Sequence, residues 1–598
     1  MTLHRKLLIL IILATMVVSL DPAQAEQLSI AQLSVLPDDT SLTALVLMRE
    51  RPDIDYLRQL VANLSRDERS GVVWRELDEL ARRSQQGIRQ NLERWVNTGE
   101  LERIQYLRLV NGIVLHGSPR VYEDIFNHPD ISELIHIIPR TIETNAGPIP
   151  VTVADGESIP WHIEHIQAPQ CWEEGYTGAG VLVAIIDTGI NYYHTDISDH
   201  LWDGGDQYPN HGYDFAGLDD DPIDESGHGA GVAGLVAGDG TSGINTGVAP
   251  DATIMGLRVR QDLFTGVVTD TWLAQDFALE HGVDIISMSL GWGHPGPEDR
   301  PIWREAYEVL EVAGIVCVKS AGNRRMERNP PNAISVPGGV PSPWRNPDEI
   351  ESGTRGGQIT VGGIDEENNN SDVSSPGPVT WEGVLPWDDY PLSDGRSGLI
   401  KPDICAPSTN GTSLPYNANS TYASFNGTSM AQPHVAGVVA LMLSKDFNLL
   451  PVEVDSILQT TALDLGEQGK DNDFGAGLVQ AKAALDAIPS PEPEPDPEPI
   501  EFSNHASIVD GLTLDVVYPN PFNPWTVVRV FITDPGHLKI SVFNALGQQV
   551  DTLTNSWYMK NEMHEFPFDA SDLASGSYFI LAEYNGKNVI SRKVTLTK

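Results

Sequence analysis

The feature that most constrains the fold is a series of short, almost uninterrupted apolar runs between residues 181 and 363. The runs are VLVAIID, ATIMGLRV, VDIISMSLG, GIVCVKSAGN and QITVGG. Strands of a parallel sheet, which are buried on both faces, have this composition. Helical stretches such as TDTWLAQDFALEHG and REAYEVLEVAG lie between several runs. This alternation predicts an α/β domain with a parallel sheet flanked by helices, which we assign to residues 156–488.

The regions on either side of this domain have different patterns. Residues 26–155 contain the charged helical stretch GVVWRELDELARRSQQGIRQNLERWV and then the strand-like IQYLRLVNGIVLHG, which indicates an α+β unit. Residues 489–504 begin with PSPEPEPDPEP, in which proline keeps the chain extended and acidic side chains repel one another, as in a linker. Residues 505–598 contain TVVRVFI, LKISVFN and SYFILAEY, and Asn585-Gly586 is a hairpin turn signal. This last region is predicted to be a small β-sandwich.

Residues 1–25 have the pattern of a signal peptide. Arg5 and Lys6 precede the apolar stretch LLILIILATMVV, and the small-x-small sequence AQA predicts cleavage after Ala25. No later stretch reaches the roughly 18 to 20 apolar residues that a spanning helix needs. We therefore expect export, with no membrane span in the mature chain.

Charge and cysteine content restrict the partners further. The formal net charge of −45 disfavours binding to nucleic acid or to anionic lipid. The chain has three cysteines, Cys171, Cys317 and Cys405, without the spacing of metal ligands. Buried free thiols are the favoured interpretation, and at most one disulfide is the alternative.

Four polar residues stand where the core runs end or where helices begin. Asp187 closes VAIID, His228 lies in ESGHGAGVAG, Asn323 closes VKSAGN, and Ser429 lies in NGTSMAQPHVAG. Each has a structural alternative, because Asp and Asn are common in turns, His228 could belong to a surface loop, and Ser caps helices. The carboxyl ends of parallel strands are, however, where α/β sheets place their sites.

Taken together, these segments identify a resemblance. AIIDTGI, GHGAGVAG, SMSLG, SAGN and NGTSMAQPHVAG, in this order, resemble the subtilisin-like serine proteases. The order Asp, His, Ser is the order of that family. The resemblance covers approximately residues 156–488 and implies a subtilisin-like parallel sheet.

The resemblance implies a role for each of the four residues. Ser429 is expected to attack a peptide carbonyl, His228 to take and return the proton, and Asp187 to hold the imidazole in place. The Asn323 side chain and the backbone N–H of Ser429 are expected to bind the oxyanion. The run HVAGVVALML is apolar on all sides, so His434 within it is predicted to be structural, in a buried helix.

By the same resemblance, a substrate-binding surface lies beside these residues. Ser289, Leu290 and Gly291 are expected to pair as a backbone rail with an extended substrate. Ala321 and Gly322 are expected to wall the first specificity pocket, whose preference the motifs do not fix.

Two further features concern departures from the family and metal binding. Ala230 and Gly231 replace the Thr and His that usually follow in the family, which predicts altered helix packing without loss of activity. The resemblance implies no cofactor for the chemistry, and it allows a structural calcium ion, as many members bind one. Asp196 in HTDI matches one common calcium-ligand position, and the alternative is a solvated turn carboxylate.

The flanking regions fit the same picture. Residues 26–155 resemble the propeptide of an exported protease. Residues 505–598 resemble the C-terminal sorting domain of type IX secretion, through YPNPFNP, ISVFNALGQQV and LASGSYFI. The alternative for this region is a β-sandwich used for adhesion. The resemblance implies export through the periplasm to the cell surface or exterior, by outer-membrane machinery that recognises the tail.

The leading functional hypothesis is a secreted serine endopeptidase that acts on proteins or peptides and is made as a zymogen. One alternative is an inactive subtilisin-like domain used for binding or surface structure, and the filled catalytic positions argue against it. A hydrolase that acts on esters is a second alternative.

Overall fold

A computed structural model describes most of the chain from residue 41 onward. The described residues are 41–137, 140–141, 149–151, 159–260, 265–266, 268–292, 299–349, 353–392, 397–489, 507–509, 512–532, 536–545, 547–558, 562–571, 573–585 and 588–598. The signal peptide, most of the linker and Gly586 of the expected hairpin turn lie outside these residues. The chain divides into two compact units, one that ends at Ser490 and one that begins at Pro491.

The first unit begins with a small α+β region. Its four-stranded sheet has the order β2-β3-β1-β4 and is antiparallel where β1 pairs with β3 and β4. The strands are β1 (Leu42–Met48), β2 (Leu101–Leu107), β3 (Gly112–Gly117) and β4 (Ile131–Ile137). The helices are α1 (Ile54–Val61), α2 (Arg66–Ser84), α3 (Gln86–Thr98) and α4 (Tyr122–Phe126). The charged helical stretch and the two strands that the sequence predicts here are confirmed.

Two short strands connect this region to the rest of the first unit. β5 (Arg140–Thr141) pairs with β10 (Thr265–Gly266), and β6 (Ile149–Val151) pairs with β16 (Tyr422–Phe425), which also pairs with β15 (Gly411–Ser413). All three pairings are antiparallel. The chain therefore joins two separate sheets of the following region within twelve residues.

The centre of the first unit is a seven-stranded sheet in which every pair of strands is parallel. Its order is β14-β13-β12-β11-β7-β9-β8. The strands are β7 (Leu182–Asp187), β8 (Gly212–Asp214), β9 (Thr253–Arg258), β11 (Ile285–Met288), β12 (Val316–Ser320), β13 (Gln358–Ile364) and β14 (Ile404–Pro407). All five apolar runs form strands of this sheet, as predicted.

Helices cover both faces of the parallel sheet. Alternate strand residues such as Val183 and Ile185 pack with the helix that contains Val435, whereas Ala184 and Ile186 pack with the helix that contains Trp272. The helices are α5 (Trp161–His165), α6 (Ala168–Glu173), α7 (His228–Ala237), α8 (Val268–Glu280), α9 (Asp299–Val312), α10 (Thr428–Lys445), α11 (Pro451–Thr461) and α12 (Ala481–Ala487). The central helix α10 is buried over residues 428–443, which confirms its prediction from an apolar run.

The second unit is built from two four-stranded antiparallel sheets. Their orders are β17-β18-β19-β22 and β21-β20-β23-β24. The strands are β17 (Ser507–Val509), β18 (Leu512–Tyr518), β19 (Trp525–Ile532), β20 (Gly536–Asn544), β21 (Gln549–Tyr558), β22 (Glu562–Asp569), β23 (Gly576–Tyr584) and β24 (Asn588–Leu596). Their apolar residues form a single core. The predicted β-sandwich is confirmed.

Two expectations about the whole chain are also answered. The three cysteines are free and buried. Among the described helices, none has the length and apolar character needed to cross a bilayer.

Candidate active site

The predicted site residues meet at one edge of the parallel sheet. Asp187 is the last residue of β7, and Asn323 follows β12 by three residues. His228 is the first residue of α7, and Ser429 is the second residue of α10. Because the strands are parallel, their carboxyl ends lie on the same edge, and both helices begin there.

The closest contact in the site joins Asp187 and His228. His228 Nδ1 lies 2.7 Å from Asp187 Oδ1, and both side chains are buried. His228 Nε2 is also buried and makes no hydrogen bond to any residue that the structure describes. The carboxylate therefore fixes one nitrogen of the ring, and the other nitrogen remains available as a proton acceptor.

A second aspartate holds the segment before His228 in position. Asp224 Oδ1 accepts the backbone N–H groups of Ser226 and Gly227 and the Thr188 hydroxyl, and Asp224 Oδ2 accepts the N–H of Ala230 at 2.8 Å. Burial raises the pKa of Asp224, against the lowering effect of these hydrogen bonds. The sequence did not identify this residue, because Asp224 lies outside the N-cap position, which Gly227 occupies.

Phe425 packs against the imidazole and against Gly231, one of the two residues that depart from the family pattern. Its ring centroid lies 5.4 Å from that of His228. A Cβ atom on Gly231 would lie 2.6 Å from the Phe425 ring, so no side chain fits at Gly231. Gly231 therefore leaves room for the Phe425 ring, and altered helix packing relative to the family stays a prediction.

Ser429 is the second residue of α10, and Gly427 directly precedes this helix. Gly427 has φ of +94°, a conformation that favours glycine, and this turns the chain into the helix. The Ser429 hydroxyl donates to the carbonyl oxygen of Ser289 at 3.2 Å and makes no hydrogen bond to His228 Nε2. The structure thus places Ser429 beside the predicted substrate rail, with its hydroxyl directed at that rail.

Asn323 is oriented by the residue before Ser429. Its Oδ1 accepts the backbone N–H and the hydroxyl of Thr428, each at 3.0 Å. Both bonds use the oxygen, so the amide NH₂ takes part in neither. Thr428 therefore fixes the orientation of the Asn323 amide.

The predicted rail and pocket residues lie next to this group. Ser289 donates its hydroxyl to the Ser429 carbonyl at 3.1 Å and to Gln432 Oε1 at 2.7 Å, which ties the rail to α10. Leu290 and Gly291 follow in the chain and are buried. Gly322 donates its N–H to the Thr428 hydroxyl at 3.2 Å, and Ala321 is fully buried.

His434 has the structural position that the sequence predicts. Its Nδ1 bonds the Met430 carbonyl at 2.7 Å within α10, so its Nε2 accepts from His162 Nδ1 at 2.8 Å. His162 Nε2 in turn accepts the N–H of Thr412. Burial lowers the pKa of His434 to about 4 and lowers that of His162 well below its usual value.

Asp196 is buried and accepts two hydrogen bonds. Its Oδ1 accepts the N–H of Ser242 at 2.7 Å, and its Oδ2 accepts the Tyr422 hydroxyl at 2.9 Å. Asp196 is therefore not the solvated turn carboxylate that the sequence left as an alternative. Its role as a calcium ligand stays a prediction, since calcium needs six to eight oxygen ligands.

One cluster with metal-ligand spacing is present among the described residues. It contains Asp199, His200 and Asp239. His200 already uses one nitrogen for Asp199 and the other for the Ala237 carbonyl, and Asp239 accepts from Thr241. These bonds account for the cluster without a metal ion.

The sequence of the chain is similar to those of known families and proteins. Residues 178–477 match the subtilase family, and residues 516–597 match the secretion system C-terminal sorting domain. The chain is 32% identical to Subtilisin DY of Bacillus licheniformis over 329 residues, which cover 55% of this chain and 99% of that protein. It is 30% identical to Subtilisin E of Bacillus subtilis over 331 residues, or 55% of this chain and 71% of that protein.

A further relative extends the similarity beyond the subtilase match. Bacillopeptidase F of Bacillus subtilis is 28% identical over 449 residues, which cover 70% of this chain and 29% of that protein. The similar region is therefore longer than the parallel-sheet domain alone.

Proposed function

Because this chain belongs to the subtilase family, we propose that Asp187, His228 and Ser429 form the catalytic triad of a serine endopeptidase that is exported to the cell surface or exterior. The observation that carries the proposal is the buried 2.7 Å contact between Asp187 and His228, at the sheet edge where α10 begins with Ser429 in its first turn. A carboxylate on Nδ1 sets the tautomer in which Nε2 accepts a proton.

The reaction begins with a change in the Ser429 rotamer. Its hydroxyl leaves the Ser289 carbonyl and turns toward His228 Nε2, which makes no hydrogen bond to any described residue and so is able to accept one. His228 takes the proton as Ser429 Oγ attacks the peptide carbonyl, and Asp187 stabilises the imidazolium that forms. His228 then gives the proton to the leaving amine, and an acyl-enzyme remains for water to hydrolyse.

The developing oxyanion is stabilised by two donors. One is the Asn323 amide NH₂, which the two bonds from Thr428 to Oδ1 orient. The other is the backbone N–H of Ser429, near the positive end of the α10 dipole. The substrate lies as an added strand along Ser289, Leu290 and Gly291, with Ala321 and Gly322 at the first specificity pocket.

Residues 26–155 act as a propeptide in this proposal, so the enzyme is made as a zymogen. Among the residues that the structure describes, four ion pairs join the α+β region to the peptidase region, residues 156–488: Arg51–Glu305, Arg58–Glu311, Arg66–Asp284 and Arg108–Asp276. The strand pairings of β5 and β6 hold the connecting segment on two sheets of the peptidase region. A propeptide that covers its enzyme until it is cut has such contacts.

In this proposal, the tail directs export of the protein across the outer membrane. The match of residues 516–597 to a sorting domain supports recognition by the outer-membrane machinery of type IX secretion. Recognition by that machinery, rather than adhesion, is the role that we propose for the β-sandwich.

One observation favours the alternative of an inactive binding domain. The Ser429 hydroxyl is bonded to the Ser289 carbonyl and not to His228. In an inactive protein this arrangement would persist when substrate binds.

One experiment distinguishes an active peptidase from an inactive binding domain. Purified processed protein is incubated with casein and, in parallel, with a fluorophosphonate probe that labels activated serines. We expect cleavage and labelling at Ser429, and neither with Ser429→Ala. Intact casein together with an unlabelled Ser429 in the parental protein would establish the inactive alternative.

A further inference from the structure

The first turn of α10, which carries the proposed nucleophile, lacks a hydrogen bond that an α-helix normally makes. In an α-helix each carbonyl accepts the N–H of the residue four positions later. The residue four positions after Ser429 is Pro433, which has no N–H. The Ser429 carbonyl therefore lacks its usual partner within α10, although Ser429 is buried. A buried carbonyl needs a partner, so another group has to supply the donor.

The donor comes from the proposed substrate rail. Ser289 donates its hydroxyl to the Ser429 carbonyl at 3.1 Å, and the Ser429 hydroxyl donates to the Ser289 carbonyl at 3.2 Å. The two serines are thus joined by a reciprocal pair of hydrogen bonds, although they lie 140 residues apart in the sequence. This pair connects the turn of the nucleophile directly to the rail.

Gln432 connects this pair of serines to strand β11. Its Oε1 accepts the Ser289 hydroxyl at 2.7 Å and the Ser287 hydroxyl at 3.1 Å, and its Nε2 donates to Ser287 Oγ at 3.0 Å. Ser287 is the third residue of β11, and Ser289 directly follows that strand. Gln432 is fully buried, and a buried amide costs free energy unless its hydrogen bonds are made. These bonds therefore hold the first turn of α10 at the end of β11.

We propose that Gln432 is a positioning residue of the peptidase: acting through Ser289, it sets the separation between the turn that carries Ser429 and the substrate rail. The inference rests on the proposed function, because it requires that Ser429 is the nucleophile and that the substrate lies along Ser289. It gives a role to a residue outside the triad and the oxyanion donors.

The need for such a residue follows from the reaction. Ser429 Oγ attacks the carbonyl of a peptide that the rail holds, so the rail and the first turn of α10 have to keep a fixed separation. A displacement of about 1 Å lowers the rate of such a reaction about a hundredfold. Pro433 removes one backbone constraint from this turn, and the bonds from Ser289 and Gln432 replace it.

The test compares two substrates of the processed enzyme. One is a peptide p-nitroanilide that lies along the rail, and the other is p-nitrophenyl acetate, which is too small to extend along it. Gln432→Met removes the polar atoms at similar length. It should lower kcat for the peptide by about 10- to 100-fold, with a smaller change in KM, and change kcat/KM for the acetate less than about threefold.

Ser287→Ala is the matched control for this variant. It removes a hydroxyl from the same buried cluster and leaves the bonds between Ser289, Ser429 and Gln432 in place. Both substitutions should lower the melting temperature, because each leaves a buried polar group without its partner. Only Gln432→Met should change the ratio of the peptide rate to the acetate rate.

A second variant keeps the test decisive if Gln432→Met does not fold. Ser289→Ala removes the same connection from its other end, and it should lower the ratio of the peptide rate to the acetate rate in the same way. Where both variants fold, the double variant should lose little more peptide activity than the more damaged single variant, because residues that act through one connection are not additive.

The outcomes separate this inference from the function beneath it. Equal losses on the peptide and on the acetate, or an equal change of their ratio by Ser287→Ala, would overturn the inference and make Gln432 a structural residue of α10. The peptidase itself would stand in that case, because the parental enzyme cleaves both substrates. If the parental protein cleaves neither substrate and a fluorophosphonate does not label Ser429, the proposed function and the inference are both rejected.

Discussion

The two regions that flank the peptidase region bury their strands in different ways. In β1, before the peptidase region, both sets of alternate residues are buried. Ala44 and Val46 pack under α3 of their own region, whereas Leu45 and Leu47 belong to a cluster with Trp272 and other peptidase residues. In β19 of the tail, Val528 and Val530 are buried, whereas Trp525 is 57% exposed.

This difference indicates which of the two flanking regions can fold without the peptidase region. The α+β region shares one face of its sheet with the peptidase region, so separation would expose apolar surface on both. The tail keeps its core within residues 517–596, and its outer face already meets water. We therefore expect the α+β region to be stable only when it is bound to the peptidase region, and the tail to fold independently. The predictions below test this contrast, from the largest expected effect to the smallest.

The largest effect concerns the nucleophile. Ser429→Ala should lower kcat by about 10⁶-fold, because the members of a triad act as a unit. The variant should retain residues 26–155, since they remain bound and uncut, and it should retain the tail as the parental chain does. Intact mass and N-terminal sequencing measure both. Recovery of the variant from a protease-free host with residues 26–155 already removed would contradict self-processing.

The second prediction weakens the bound region at one point. Arg66 is buried and donates to Asp284 Oδ1 at 2.8 Å, to the Asp284 carbonyl and to the Gly314 carbonyl. Burial raises the pKa of Asp284, against the attraction of Arg66. In a Ser429→Ala background, Arg66→Ala should therefore destabilise the bound α+β region by about 3–5 kcal/mol, as for a broken buried ion pair.

Hydrogen exchange of α2 in that background measures the loss. Arg83→Ala is the matched control, because Arg83 pairs with Glu50 within the α+β region and both side chains are at least half exposed. An exposed pair of this kind contributes at most about 1 kcal/mol. Equal effects of the two substitutions would mean that the ion pair to Asp284 does not hold the region in place.

The third prediction lies within the peptidase region. Asn323→Ala should lower kcat by roughly 10²–10³-fold, about 3 to 4 kcal/mol, with little change in KM, because the amide acts on the charge that develops during the reaction. The loss should be the same with or without the tail if that unit is independent. A raised KM with an unchanged kcat would make Asn323 a residue that binds the ground state.

The fourth prediction concerns acid. His434 has a pKa of about 4 in the folded chain, and a histidine in an unfolded chain has a pKa of about 6.5. Neutral His434 therefore makes its full contribution to the stability of the fold above pH 6.5. As the pH falls from about 6.5 to 4, the unfolded state takes up a proton that buried His434 does not. The free energy of unfolding of the peptidase region should fall by about 3 kcal/mol over this pH range.

Unfolding of the processed enzyme in urea at several pH values measures the slope of the free energy of unfolding against pH. His434→Gln should make the slope shallower, whereas His537→Gln, which lies in the tail unit, should leave the slope of the peptidase unit unchanged. A slope unaffected by His434→Gln would assign the acid sensitivity to other groups.

The sequence predicts the parallel sheet and the ends of its strands well, because burial on both faces leaves a local signal in every strand. Asp187 and His228 could be named from such ends and from the glycines around them. Asp224 and Phe425 were missed for a physical reason. Their roles depend on contacts with other segments, such as the Thr188 hydroxyl on Asp224 and Gly231 against Phe425, and no local pattern records such a neighbour.

The smallest effect is expected from removing the tail. A chain that ends at Ser490 should keep kcat/KM and the stability of the peptidase region within about twofold of the parental values. The reason is that the division between the two compact units falls at the Pro-Glu stretch, and an extended, charged linker transmits few contacts. In the native host the same truncation should stop export at the periplasm, which fractionation with an activity assay detects. Lost activity in vitro would show that β19 and its neighbours support the peptidase region, and the contrast between the two flanking regions would fail. If the truncated enzyme appeared outside the cell in parental amounts, the tail would be an adhesion module and not an export signal. The contrast between the two flanking regions would still hold, because independent folding and the export signal are separate properties of the β-sandwich.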